Sequence, residues 1–187
     1  RSTNICGTGG YSSTFSFTTS DVPSILLVDD DDNGPDNRPT YESVLNTLGV
    51  DFDVWDTNDS DNEPNATQLA QYELVIWFTG DAFGFGSTAT AGPGPAGEAA
   101  LSTWLDNGGC FVISSQDYHY DKGLTSLMTS YMGVSSVVND TDKSSVTGAG
   151  PIFGGLGPYS LSYPFTDFSD TIVPSASGEV AFSGNNG

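Results

Sequence analysis

The sequence predicts an α/β fold in which helices flank a parallel sheet. Short apolar runs alternate with amphipathic stretches four times between residues 24 and 133. The apolar runs are continuous, which is typical of strands buried on both faces. Glycines follow most of the amphipathic stretches, as they do at helix ends. This alternation indicates a parallel sheet with right-handed crossovers and helices on both faces.

Each element follows from its local pattern. Tyr41, Val44, Leu45 and Leu48 share one helical face, and Gly49 ends that helix. Asn65 is a typical N-cap for the next helix. The predicted strands are 25–28, 52–55, 74–78 and 110–113, and the predicted helices are 40–48, 66–72, 96–106 and 124–132.

Three segments are expected along the chain. Residues 1–23 form an N-terminal β arm or the end of a preceding domain, because Tyr11, Phe15 and Phe17 alternate with Ser and Thr. Residues 24–133 form the α/β core. Residues 134–187 form a β-rich extension of the same domain, with short strands predicted at 134–138, 144–148, 159–163 and 180–182. The arm is expected to pair with another domain or with another copy of the protein.

The net charge limits the classes of partner. Lys and Arg number 4 against 24 Asp and Glu, which gives a formal net charge of -20. Such a charge argues against binding nucleic acid or an anionic membrane. No run approaches the roughly 20 apolar residues of a transmembrane helix, so membrane insertion is not expected. Cations are the favoured partners, and a salt-rich habitat is an alternative reason for the acidity.

Acidic residues cluster where the first predicted strand ends. Residues 29–32 are four consecutive aspartates, and Asn33 and Asp36 follow closely. Asp56 and Asp81 come after the next two strands, and Asp117 follows the fourth. The carboxyl ends of parallel strands meet at one edge, where ligands gather. Oxygen ligands suit Ca²⁺. The predicted metal ligands are Asp29, Asp30, Asp31, Asp32, Asn33, Asp36, Asp56 and Asp81; a solvated acidic loop is the alternative.

Several blocks of the core resemble a known type of module. They are the run 25–36, the helix 41–49, the strand ends 53–57 and 75–81, and the segments 105–109 and 113–117. These blocks are similar to class I glutamine amidotransferase-like, flavodoxin-like modules of secreted bacterial proteins, such as immune-inhibitor-A-type or subtilisin-type exoproteins. The resemblance implies a secreted or cell-surface bacterial location. It also implies a module without established activity, serving structure, adhesion or assembly.

The sequence departs from true amidotransferases at the position of their nucleophile. The turn after the fourth strand resembles Ser114-Ser115-Gln116-Asp117, which offers no thiol. Such modules also usually finish with one more strand and helix, for which this sequence shows no match. The N-terminal arm of this or another copy is expected to fill that position.

An enzyme is the rival hypothesis. A hydrolase would use Ser115 with His119 and Asp117 or Asp121, or a metal at the acidic edge. However, Ser115, His119 and these acids lie on one loop, whereas a working triad usually draws its base from a separate element. Cys110 and His119 flank opposite ends of a strand and are too far apart for a dyad.

The two cysteines leave a further question open. Cys6 and Cys110 permit at most one disulfide, and a buried free thiol is the alternative for Cys110 at the head of an apolar strand.

Carbohydrate binding is the third hypothesis. Aromatic residues are predicted around the acidic edge and could form a sugar platform, although core packing is the alternative. These residues are Trp77, Phe78, Phe83, Phe85, Tyr118 and Tyr120. The glycine-rich stretches 84–97 and 148–157 lack the Lys of a phosphate loop, which argues against nucleotide binding.

Overall fold

A four-stranded parallel sheet forms the centre of the protein. The computed structural model describes residues 3–4, 7–8, 22–31, 34–58, 60, 62–84 and 91–185. The strands are β1 (Thr3–Asn4), β2 (Gly7–Thr8), β3 (Ile25–Asp29), β4 (Phe52–Asp56), β5 (Leu74–Gly80), β6 (Cys110–Ser115), β7 (Val134–Val138), β8 (Ser145–Gly148), β9 (Tyr159–Ser160), β10 (Thr171–Pro174) and β11 (Phe182–Gly184). The sheet order is β4-β3-β5-β6, and every pairing is parallel. The predicted α/β parallel sheet is confirmed.

The strand order places a switch point beside β3. The chain runs from β3 to β4 on one side and then returns past β3 to β5 on the other. Counted within the sheet this order is 2-1-3-4, which matches the start of the flavodoxin-like order. Crossovers in opposite directions leave a crevice at the carboxyl ends of β3 and β5. Ligand sites of open α/β sheets lie in this position.

Helices cover both faces of the sheet. The helices are α1 (Arg38–Leu48), α2 (Ala66–Leu69), α3 (Pro95–Leu105), α4 (Tyr118–Lys122), α5 (Ser126–Ser130) and α6 (Gly150–Phe153). On one face, Leu45 of α1 packs with Leu27 and Phe78. On the other, residues of α2, α3 and α5 pack around the buried Trp77. The alternating direction of strand side chains divides the core in this way.

The helices differ in length from the prediction. Only one turn, α2, forms within the predicted helix 66–72, although Asn65 caps it and makes a reciprocal capping box with Gln68. The predicted helix 124–132 is the short α5, capped by Thr125. The helices α4 and α6 were not predicted.

The segment after Gly133 is β-rich, as predicted, and its strands pair antiparallel. β7 pairs with β10, and β8 lies between β9 and β11. β10 was not predicted, whereas the predicted strand 159–163 is limited to β9. Val134 packs with Tyr118 and Met128, so this segment contacts the core near α4 and α5.

The outer strand β6 is covered on one face only. Phe111 and Ile113 pack into the core, whereas Val112 on the opposite face is 52% exposed. Cys110 shares that face and is an exposed free cysteine, so the expectation of a buried thiol is wrong. α1 covers β3 and β5 but does not extend over this part of β6.

Two predictions fall outside the described residues, namely Cys6 as the disulfide partner and the β arm around residues 11–19. In the described part of the chain, no helix is long and apolar enough to cross a membrane.

Candidate metal centre at the carboxyl edge

Side-chain alternation along β3 sorts the aspartates that follow it. Leu27 faces α1, and Asp29 and Asp31 continue that side of the strand because successive side chains alternate. Asp30 points the other way. Its Oδ1 accepts a hydrogen bond from Thr57 Oγ1 at 2.8 Å, and its Oδ2 accepts one from Trp77 Nε1 at 2.8 Å. Asp30 therefore binds protein donors inside the core, away from Asp29 and Asp31.

Three carboxylates on the α1 side come close together. Asp29, Asp31 and Asp36 each offer one oxygen, and these oxygens all lie within 4.8 Å of one another. Two oxygens bound to one Ca²⁺ at about 2.4 Å each are separated by at most about 4.8 Å. Asp29 and Asp31 are buried, whereas Asp36 is exposed. The carboxylate trio, as we call these three residues, could hold a metal ion with one side open to water.

Asn37 and the end of β5 fix the position of Asp31. Asp31 Oδ2 accepts hydrogen bonds from the backbone N–H and the side-chain amide of Asn37. The Asn37 amide also donates to Pro35 O at 2.8 Å. Gly80 leaves room for this amide, because a Cβ at Gly80 would lie 2.6 Å from Asn37 Nδ2. The left-handed backbone of Gly80, with φ of 55°, also favours glycine.

A single arginine bridges two strands at this edge. Arg38 Nη1 lies 3.2 Å from Asp29 Oδ2 and donates a hydrogen bond to Asp56 Oδ2 at 3.1 Å. Parallel register places Asp29 beside Asp56, which explains how one guanidinium reaches both. The sequence reasoning missed Arg38. The sequence feature that marks Arg38 is its position at the first residue of α1, directly after the acidic loop, in a chain with only 4 Lys and Arg residues.

The surroundings of the Asp29 carboxyl disfavour its ionised form. Its pKa is raised to about 7, mainly by burial and then by repulsion from Asp31, while Arg38 partly offsets the rise. Its Oδ2 is buried and makes no hydrogen bond within the described residues, because the contact with Arg38 lacks hydrogen-bond geometry. A second cation would stabilise the ionised form of this group.

Other predicted ligands are not part of the carboxylate trio. Asp56 binds Arg38 and also accepts a hydrogen bond from the Asn58 backbone at 2.8 Å. Asp81 is partly exposed just past β5 and does not join the trio. Asp32 and Asn33 lie outside the described residues.

Asp117 belongs to a different acidic group at the end of β6. Burial raises its pKa to about 6, with smaller contributions from Asp121, Asp170 and Asp140, while a hydrogen bond from Gln116 opposes the rise. Asp170 and Asp140 come from the C-terminal segment, and no local sequence pattern links them to Asp117. The acids therefore form two groups at the edge instead of the shared rim expected from the strand ends.

Hydrogen bonds do not join the predicted catalytic residues into a triad. Ser115 Oγ accepts hydrogen bonds from Thr79 Oγ1 at 2.7 Å and from the Tyr118 N–H at 3.1 Å. His119 Nδ1 is buried and makes no hydrogen bond within the described residues. Ser115 and His119 line one cavity, but the acid in that lining is Asp170, not Asp117 or Asp121.

The aromatic residues near the edge are divided by burial. Trp77, Phe78 and Tyr118 are buried, and Tyr118 donates a hydrogen bond to Glu98. Phe83 and Tyr120 are exposed, whereas Phe85 lies outside the described residues. A single flat platform built from all the predicted aromatics is therefore not formed.

The fold and the carboxylate trio together define an α/β protein with a candidate metal site at the switch point of a parallel sheet. No protein family, curated protein or solved structure matches the chain.

Proposed function

We propose that the protein is a non-catalytic structural module stabilised by a calcium ion bound to Asp29, Asp31 and Asp36. The observation that carries the proposal is the mutual approach of three carboxylate oxygens to within 4.8 Å. Arg38 brings one positive charge beside the two buried carboxylates and shares it with Asp56, so a net negative charge remains at the edge and is costly to bury. A bound divalent cation offsets that charge.

Calcium fits the surroundings of the trio better than magnesium does. Ca²⁺ accepts six to eight oxygens in irregular geometry, whereas Mg²⁺ requires a near-ideal octahedron. The trio supplies three carboxylates of unequal burial, and the exposed Asp36 leaves space for water. An irregular, partly open site of this kind favours the larger ion.

The test is the thermal stability of the full chain with CaCl₂, with MgCl₂ and with a chelator at equal ionic strength. An ion at about 100 times its dissociation constant stabilises the folded state by about 2.7 kcal/mol. We expect calcium to raise the melting temperature more than magnesium does. An equal melting temperature in calcium and in chelator would overturn the proposal.

Matched variants locate the site. Asp36→Asn removes one charge but keeps the oxygen that accepts the Arg38 N–H. Asp51→Asn makes the same change at an exposed position between α1 and β4, away from the trio. The response to calcium should fall in Asp36→Asn and persist in Asp51→Asn. Equal responses in the two variants would place the ion elsewhere.

The resemblance to amidotransferase-like modules supports a secreted or cell-surface location for the protein, in a bacterium. A hydrolase finds less support, because Ser115 and His119 are not hydrogen bonded to each other in the described residues. Carbohydrate binding likewise finds less support, since three of the predicted aromatics are buried.

Assembly through the arm is the second part of the proposal. The alternating segment of the arm, residues 11–19, lies outside the described residues. Within the described part β6 pairs only with β5, which leaves its outer edge available. Replacing Tyr11, Phe15 and Phe17 together by Ser keeps the length and removes the apolar face. If the arm joins two copies of the protein, the molar mass measured by light scattering should then fall to that of a single chain. A mass unaffected by the replacement would exclude this role.

A further inference from the structure

A cavity lies at the end of β6, apart from the carboxylate trio. It has a volume of about 130 Å³ and opens between β6, α4, α5 and the β7–β10 pair. Its apolar lining consists of Ile113, Met128, Met132, Val134, Val137 and Ile172. An apolar cavity of about 150 Å³ is large enough to take up benzene. The cavity at the end of β6 is of nearly that volume and has room for a hydrocarbon group about the size of benzene or smaller.

Gln116, Tyr118 and Ser169 also line the cavity. Three further polar side chains of the lining come from separate elements: Ser115 of β6, His119 of α4, and Asp170 just before β10. Ser115 Oγ accepts two hydrogen bonds, so its own hydroxyl hydrogen is left to donate. His119 Nδ1 is buried and has no hydrogen-bond partner in the described part of the chain.

Asp170 gives the cavity a negative charge. Asp170 Oδ1 accepts a hydrogen bond from the Asp140 backbone at 3.2 Å, which leaves Oδ2 as an acceptor. Asp117 and Asp140 interact electrostatically with Asp170, and Asp121 interacts with Asp117; of the groups near Asp170, His119 favours its ionised form. The described residues that line the cavity include no Lys or Arg. A cationic hydrogen-bond donor is the complement of this arrangement.

We propose that this cavity binds a small primary amine, with its hydrocarbon part against Met128 and Met132 and its ammonium group at Asp170. The apolar lining selects a short chain or a single ring, and the carboxylate selects the positive charge. His119 and Ser115 supply further hydrogen-bonding groups beside the bound amine. The proposal goes beyond the calcium site and does not depend on it, because the two share no residue.

The two methionines of the chain provide the readout. Met128 and Met132 are the only methionines in the sequence, and both line the cavity. Protein labelled with ¹³C at the methionine methyl groups therefore gives two NMR signals, each from the proposed site. The probes are n-butylammonium, 1-butanol and butyrate, which share a four-carbon chain and differ in charge.

We expect n-butylammonium to shift both methyl signals saturably and to bind about tenfold more tightly than butyrate, with 1-butanol between them. In Asp170→Asn, which keeps the shape of the side chain, the preference for the cation should shrink severalfold. Equal affinity for butylammonium and butyrate in the unchanged chain would overturn the proposal. So would the absence of saturable shifts with all three probes.

A matched pair of variants tests the location. Val137→Phe fills the cavity, whereas Val138→Phe adds the same volume at the next position of β7, where the native side chain is 52% exposed. Binding should be lost in the first and kept in the second. Unchanged binding in a folded Val137→Phe protein would contradict the proposal. The charge preference is measured on the unchanged chain, so the test holds even where Val137→Phe does not fold.

Discussion

Neighbouring aspartates after β3 have different roles because their side chains point in different directions. Asp29 and Asp31 belong to the carboxylate trio, whereas Asp30 is held by Thr57 and Trp77. Arg38 then completes the edge as an internal cation between Asp29 and Asp56. A metal ion bound as proposed would compete with this guanidinium for Asp29.

Replacing Arg38 should therefore change the affinity for calcium. Arg38→Met removes the competing charge and keeps much of the side-chain volume, so calcium affinity should rise by about tenfold, while the metal-free protein should lose stability. Calcium titration by calorimetry measures the affinity. Lys122→Met removes one positive charge on α4, far along the chain from the trio, and serves as the control. An equal gain in both variants would mean that only net charge matters.

The pKa of Asp117 predicts a pH dependence. Because its pKa rises from 3.8 to about 6 on folding, the folded state binds a proton more tightly than the unfolded state does. Its contribution to stability is full below about pH 4 and is lost as the pH rises to about 6. Urea unfolding of wild type and Asp117→Asn should show a difference in unfolding free energy that falls across this interval. A constant difference would contradict the shift.

The sequence predicted that acidic residues gather at the carboxyl edge of the sheet, but not which residues contact them there. Asp29, Asp31 and Asp36 were predicted because strand ends gather at one edge, a rule that needs no side-chain detail. The alternation of side chains along an extended strand turns Asp30 away from them, toward Thr57 and Trp77, and the prediction that grouped all four aspartates did not use this alternation. Asp170 could not be predicted, because it reaches Asp117 only through the packing of the C-terminal segment.

The residue that precedes α1 is in close contact with the last residue of β5. The Asn37 side chain precedes α1 and lies against Gly80, the last residue of β5. The same side chain holds Asp31 and Pro35 O, so the helix, the strand end and the trio depend on one close contact.

Substitution at Gly80 tests this contact. Gly80→Ala should cost about 1–2 kcal/mol for its left-handed backbone and a further 1–3 kcal/mol for the overlap with Asn37. Gly49→Ala, where φ is 69° and a Cβ would meet nothing within 4 Å, carries only the backbone cost. Chemical denaturation gives both values. Equal losses would show that Asn37 moves aside freely.

Strands were easier to predict than helices in this chain. Each predicted strand of the sheet lies within an observed one, because continuous aliphatic runs leave few alternatives. The short helices α4 and α5 have too few turns to display a periodic pattern. They form because Tyr118, Leu127 and Met128 are buried against the core, a tertiary effect that local propensity does not contain.

Repulsion among the carboxylates is the dominant electrostatic feature of the protein. A chain with a net charge of -20 should become more stable as salt screens its carboxylates from one another. Raising NaCl from about 0.02 to 0.5 M should increase the melting temperature by about 2–5 °C. The increase should be the same in wild type and Asp36→Asn. A gain confined to wild type would indicate a specific sodium site in place of screening.

If the edge binds a cation as proposed, the ion pair of Arg38 would let it discriminate between cations by their charge. A sodium ion that displaces the guanidinium from Asp29 brings no more charge than it removes, so the exchange gains little Coulomb energy. A calcium ion brings one charge more. At the proposed site Arg38 would therefore disfavour monovalent ions relative to divalent ones, and the edge would respond to calcium even against a large excess of sodium.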